Sequence, residues 1–205
     1  MALRRKDQPR SLKRPFLIVC EGYLESIYFN RLKRHPRFRK NIHISIECAK
    51  GGKHFTVLAK AKQLMKPGRF DCIWCVFDAE CDADHQAVRQ TVQDCLRLGF
   101  HVGISNPCFD VWILAHLDAW PKGKLDPDGS RRQLKKIRGC EPKLHNPEWF
   151  DKAIFNGEEF PNLDVATKTA RCFSIDKPQD IDQVLANNPS TTVPLLIAAL
   201  LNPAA

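Results

Sequence analysis

Cys72-Ile-Trp-Cys-Val-Phe77 is apolar along its whole length and closes on Asp78-Ala79-Glu80. A strand with one wet face alternates apolar and polar residues. A short run that is apolar on both faces marks a strand covered on both sides, as at the centre of a parallel sheet. Two further segments share the design: Phe16-Leu-Ile-Val-Cys20 ends on Glu21-Gly22, and Val102-Gly-Ile-Ser-Asn106 leads through Pro107 and Phe109 to Asp110. Helical spacings lie between them, at Leu24, Ile27, Tyr28 and Leu32, at Val57, Leu58, Ala61 and Leu64, and at Val88, Val92 and Cys95, stopped by Gly99. Ile42, Ile44 and Ile46 alternate with His43, Ser45 and Glu47, which predicts a half-buried strand at or near an edge. Strand and helix in strict alternation predict an α/β fold with a mainly parallel central sheet of about four strands, flanked by helices.

The chain has 205 residues, 43% of them hydrophobic, enough for one domain with a real core. Residues 1–14 carry six Lys or Arg against one Asp and read as a basic tail. Residues 15–205 read as the domain, with 121–187 a mainly helical elaboration and a last apolar helix from Pro194 to Leu201. No stretch approaches the roughly 20 apolar residues of a membrane span, so the expectation is a cytoplasmic protein with reduced cysteines and no membrane partner. Cys72 and Cys75 stand three apart in a strand and face opposite ways, which disfavours a metal or redox pair. A net charge of +9 favours a polyanionic partner.

Acids at the ends of parallel strands are delivered to one edge of the sheet, where ligands bind. Glu21, Asp78 and Glu80 are therefore the candidate catalytic residues, with Asp110 as a further metal ligand. Carboxylates brought together repel unless a cation lies among them, and the hard oxygen set points to Mg²⁺ or Mn²⁺. Glu80 stands ahead of Asp82 and Asp84 because the second residue on from Asp78 returns to the same side of an extended chain. Asn106 and Pro107 predict the N-cap and first turn of a helix, and Asp110 near that N-terminus is either a dipole partner or a ligand. Glu25 either orients Lys53, supports the metal or is a solvated helix acid. Lys53, after Gly51-Gly52, is a candidate phosphate contact at a strand-to-helix turn. His116 is either a hydrogen-bonded core residue or a base. Two basic groups, Arg31, Lys33, Arg34, Arg37, Arg39 and Lys40 in one and Arg131, Arg132 and Lys135 in the other, are candidate nucleic-acid contacts, to DNA or RNA.

Several blocks resemble the RloB family: Val19-Cys-Glu-Gly22 with Glu25 and Tyr28-Phe29, Val76-Phe-Asp78, Ser105-Asn-Pro-Cys-Phe-Asp-Val-Trp112 with Leu114 and His116, and Asn188-Pro-Ser-Thr-Thr192. The resemblance implies a Toprim-like fold, a metal site of Glu plus Asp-x-Asp, and a role in prokaryotic phage defence or abortive infection, often with a partner ATPase. Asp110 stands where that family usually has Glu, and Asp78-Ala79-Glu80 replaces Asp-x-Asp. The function expected is a metal-dependent nuclease; the alternative is a non-catalytic nucleic-acid-binding or regulatory subunit acting with an ATPase.

Overall fold

The structure, a computed structural model, describes residues 14–38, 42–80, 85–138, 147–155 and 160–203. The strands β1 (Arg14–Cys20), β2 (Ile42–Cys48), β3 (Cys72–Asp78), β4 (His101–Asn106) and β5 (Ser190–Thr191) form one sheet in the order β2-β1-β3-β4-β5. The first four are parallel and are joined by α1 (Tyr23–Leu32), α2 (His54–Leu64) and α3 (Gln86–Arg97). β5 is antiparallel to β4. β2 is an edge strand, with Ile42 and Ile44 buried and His43 exposed, as its alternation predicts.

Both faces of the sheet are covered. Phe16, Ile18, Trp74 and Val76 pack with α1, α4 (Asp110–His116) and α9 (Val193–Leu201), whereas Leu17, Val19, Cys75, Phe77 and Ile104 pack with α2, α3 and α8 (Ile181–Ala186). Cys72 and Cys75 fall on opposite faces, and the described cysteines are free. Every residue of α4 is buried, which explains why its sequence is apolar nearly all round. The 121–187 segment contributes α5 (Pro127–Arg138), α6 (Pro147–Ala153), α7 (Pro161–Thr169), a 3₁₀ turn at Pro178–Asp180 and α8. α7 packs on α4, and α6 on α1.

The fifth strand was not expected from its sequence, because Ser190-Thr191 offers hydroxyls instead of an apolar pattern. Those hydroxyls hold it in place. Thr192 donates its N–H to the Ile104 carbonyl at 2.9 Å, and its hydroxyl both accepts from the Ile104 N–H at 2.9 Å and donates to the Val102 carbonyl at 3.1 Å. Ser105 and Thr191 share a hydroxyl bond of 2.8 Å, and the Ser190 hydroxyl donates to the Val184 carbonyl at 2.9 Å. The segment thus satisfies the outer edge of β4, whose backbone groups would otherwise be buried without partners.

Asn106 corrects one expectation. It does not cap α4, which starts at Asp110 with Phe109 at its N-cap; Asn106 ends β4 instead. Its amide NH₂ donates to the carbonyls of Val184 at 3.0 Å and Leu185 at 3.2 Å, at the C-terminal end of α8. Helix ends leave carbonyls without intrahelical donors, and here a buried side chain supplies them. Replacing Asn106 by Ala is expected to lower unfolding stability by about 1–3 kcal/mol, the usual range for orphaned buried partners. Hydrogen exchange should show α8 losing protection first; an unchanged denaturation midpoint would show that water replaces the amide.

Candidate active site

β1 and β3 run side by side in parallel with Cys20 level with Val76. The residue after β1 therefore meets the end of β3 at the same edge. The Glu21 N–H extends the ladder to the Val76 carbonyl at 2.9 Å, and its carboxylate accepts the Asp78 N–H at 3.2 Å. The Asp78 carboxylate in turn accepts the Phe109 N–H at 2.9 Å, which ties β3 to the loop entering α4. Asp110, the first residue of α4, is buried, and so is Glu25 in the first turn of α1.

Glu25 folds back on its own helix. Its carboxylate takes hydrogen bonds from its own N–H and from that of Gly22, the N-cap residue. This is the acidic half of a capping box, with the spacing Gly-x-x-Glu. A side chain on residue 22 would collide with it, since a Cβ there would lie 2.8 Å from Glu25 Oε2. A side chain at residue 22 would therefore displace the Glu25 carboxylate from its bond to the N-cap N–H.

Burial raises the proton affinity of all these acids, and repulsion by neighbouring carboxylates adds to it for Glu21, Glu25 and Asp78. Glu21 is pushed up to about 7, first by desolvation and then by Glu25 and Glu80, against the opposing Asp78 N–H and Lys53. Glu25 also rises to about 7, by desolvation and by Asp110, against the two backbone N–H groups. Asp110 rises to about 6 by burial, with Arg131 pulling it down. Asp78 is held well above the carboxylate range by desolvation and then by Glu25, Glu21 and Asp110. Two cations, Lys53 and Arg131, act on the cluster from its margin.

Hard oxygen donors with too little positive charge among them suit Mg²⁺ or Mn²⁺. The chemistry of the donor set fits such an ion, but the side-chain positions do not form a closed shell. Among the described residues, no group of three or more His, Cys, Asp or Glu side chains is disposed to hold a metal as placed. The carboxylates stand close enough to repel one another, and Asp78 and Glu25 each spend an oxygen on backbone N–H groups.

Glu80 requires a correction to the geometry. The chain leaves the extended conformation after Asp78, and Glu80 has φ 51° with its N–H bonded to the Pro107 carbonyl at 3.0 Å. An extended Asp-x-Glu therefore does not place it, although its charge still acts on Glu21. Asp82 and Asp84 lie outside the described residues. Lys53 is exposed at the N-cap of α2 and acts on Glu21, while its neighbour His54 turns inward to the Thr91 hydroxyl at 2.7 Å. His116 is a core residue in its bonding: Nε2 accepts from the Tyr28 hydroxyl at 3.0 Å, and Nδ1 donates to the Asn162 carbonyl at 3.1 Å. Burial depresses it to about 3, and it stacks on Phe160. A neutral imidazole with both nitrogens engaged is poorly placed to move protons.

The basic groups separate by position. Arg31 pairs with Asp151 at 3.3 Å and Arg37 with Asp164 at 3.4 Å, and burial beside Arg34 lowers the proton affinity of Lys33. Arg34 is exposed, while Arg39 and Lys40 lie outside the described residues. The described members of this group sit in and just past the last turn of α1, about 9 Å along the helix from Glu25 to Arg31 at about 1.5 Å per residue. Arg131 instead borders Asp110, so α5 reaches the acidic edge. Arg131 also pairs with Asp128 at 3.8 Å, Arg132 pairs with Asp126 at 3.6 Å, and Lys135 is half-buried on the same helix. Residues that sequence reasoning missed, Lys124, His85 and Asn188, line a cleft of about 170 Å³ with Glu80 and Asn106. Asn188 belongs to the late Asn-Pro-Ser-Thr-Thr block; Lys124 carries no sequence signal.

A five-stranded, mostly parallel sheet covered by helices, with acids at one edge, is compatible with a Toprim-like fold. The model of the family described as RloB-like protein matches residues 16–200, and the chain belongs to that family. No match was found among curated proteins or among solved structures. No helix among the described residues is long and apolar enough to cross a membrane.

The raised acids predict a sign for pH dependence. Unfolded, Glu21 and Glu25 release protons near the ordinary 4.5; folded, they hold them to about 7. Their contribution to stability is present below about pH 4.5 and lost as pH rises through 7. In chelator, the denaturation midpoint should fall between pH 5 and pH 8, and Asp78→Asn, which keeps an oxygen for the Phe109 N–H, should flatten that fall. A midpoint that rises over this range would contradict the electrostatics.

Proposed function

We propose that this protein is a Mg²⁺- or Mn²⁺-dependent nuclease of Toprim-like type, hydrolysing phosphodiester bonds in DNA or RNA in the prokaryotic cytoplasm, in phage defence by abortive infection. The observation that carries this reading is the gathering of Glu21, Glu25, Asp78 and Asp110 at one sheet edge, each raised in proton affinity and bordered by Lys53 and Arg131. Acids that hold protons for want of cations are primed to exchange them for a divalent ion. Glu21, Asp78 and Glu80 would hold it, with Asp110 and Glu25 behind them. A cation so bound supplies an activated water and neutralises charge on the scissile phosphate. Lys53 and Arg131 bind the flanking phosphate oxygens and steer the strand, and a net charge of +9 draws the polyanion in.

The second reading is a binding or regulatory subunit that works with a partner ATPase. It is favoured by the commitment of Asp78 and Glu25 oxygens to backbone N–H groups, which is what structural acids do. Activity separates the two. With Mn²⁺, Asp78→Asn should lower cleavage of a labelled oligonucleotide more than about 100-fold, beyond the 10- to 100-fold typical of residues behind the ligands. Oligonucleotide binding in chelator should survive the same change. Binding without any cleavage by the parent protein, over Mg²⁺ and Mn²⁺, would select the second reading.

Binding itself should weaken steeply with salt. Each phosphate contact contributes a slope of about 0.9 in log K against log salt for duplex and about 0.7 for single strands. The double change Arg34→Ala with Arg131→Ala should lower the slope by about 1.8 on duplex if both touch phosphate. An unchanged slope would reduce these residues to a solvated face.

A further inference from the structure

The cleft beside the acids has a construction of its own. The amide of Asn188 grips the backbone of Leu125 from both sides, its oxygen accepting the Leu125 N–H at 2.9 Å and its nitrogen donating to the Leu125 carbonyl at 2.7 Å. That double bond is made across 63 positions of sequence and fixes the segment before α5 against the end of α8. Lys124, next to the gripped residue, is thereby set into the cleft wall. On the opposite side, the His85 ring bonds through Nε2 to the Glu80 carbonyl at 3.3 Å.

Charge separates Lys124 from the arginines named above. Arg31, Arg37, Arg131 and Arg132 each have an aspartate partner. Among the described residues Lys124 has none, and it is exposed. Glu80 belongs to both places, acting on Glu21 and lining the cleft. An anion in the cleft is therefore a neighbour of whatever occupies the acidic edge.

We propose that the cleft between Lys124 and His85 binds the backbone phosphate adjacent to the scissile one, with Lys124 as its charge partner and Asn188 as the residue that positions Lys124. The inference rests on the nuclease reading for what lies next door, and on the cleft alone for the anion. A phosphodiester strand suits it because one chain presents anions in series, so the strand spans the acids and the cleft together. The contact is to backbone and carries no base preference.

Full-length protein and labelled oligonucleotides, duplex and single-stranded, provide the test, with binding measured in chelator over a range of salt. Lys124→Ala should weaken binding several-fold, uniformly across sequences, and lower the salt slope by about 0.9 on duplex or about 0.7 on single strands. Lys124→Arg should restore most of it. Asn188→Ala should give a similar loss, and the double variant should lose no more than Lys124→Ala alone, the non-additivity expected when one residue acts through the other. Melting curves of each variant report folding separately. Parental binding and slope in Lys124→Ala would overturn the cleft assignment and leave the nuclease reading to its own cleavage assay. Loss of binding in Lys124→Ala, in a parent that cleaves nothing with Mn²⁺, would keep the cleft and remove the nuclease. Additive losses in the double variant would overturn the positioning role of Asn188.

Discussion

The parallel pairing of β1 with β3 brings Glu21 beside Asp78, and two buried carboxylates so placed repel. The structure answers with backbone donors. The Asp78 N–H goes to Glu21, the Phe109 N–H to Asp78, and the Gly22 N–H to Glu25. Each donor fixes one oxygen of its acid, and desolvation still dominates, so the affinities for protons stay raised. A fold selected for stability alone would place apolar residues at these positions. Carboxylates kept at such a cost are candidates for a site, because repelling groups gather where chemistry is done.

The remaining architecture holds that edge in register. Asn188 to Thr192 closes the open side of β4, pins α8 through Ser190 and clasps the segment before α5. Asn106 ties the end of β4 to the end of α8. These polar links all lie near the acid-bearing ends of the strands, whereas the two apolar clusters fill the faces. Apolar packing is non-directional and sets overall compactness; the buried hydroxyl and amide bonds are directional and fix which loop meets which.

The sheet was legible because burial on both faces leaves no choice of residue: Phe16 to Cys20 and Cys72 to Phe77 had to be apolar throughout. The strand polarity then followed from the helices between them, and with it the meeting of Glu21 and Asp78. What sequence did not disclose depends on single side chains choosing among partners. Asn106 beside Pro107 carries the local chemistry of an N-cap, yet the carbonyls at the C-terminal end of α8 claim its amide. Glu80 was placed by assuming extension, and the chain turns left-handed there. The Asn-Pro-Ser-Thr-Thr block stood out only through the family resemblance, and its hydroxyls serve the sheet edge. In sequence Glu25 reads as orienting Lys53, supporting a metal or facing solvent; the structure buries it and bonds it back to the Gly22 N–H.

Charge density in sequence proved a poor guide to charge available in space. Arg31 to Lys40 is the densest basic run, but α1 carries it away from the acids, and Arg31 and Arg37 meet aspartates from α6 and α7. Exposed pairs of this kind contribute little to stability, about 0–1 kcal/mol, but they engage two of the four described basic residues of the patch, Arg31 and Arg37 of Arg31, Lys33, Arg34 and Arg37. Lysines 53 and 124, outside the dense basic runs, stand at the acidic edge and in the cleft next to it. In the proposed nuclease, a polyanion approaching from solution would be drawn by the whole positive field and held where cations border the acids. On that proposal attraction and alignment are separate tasks, carried by different residues.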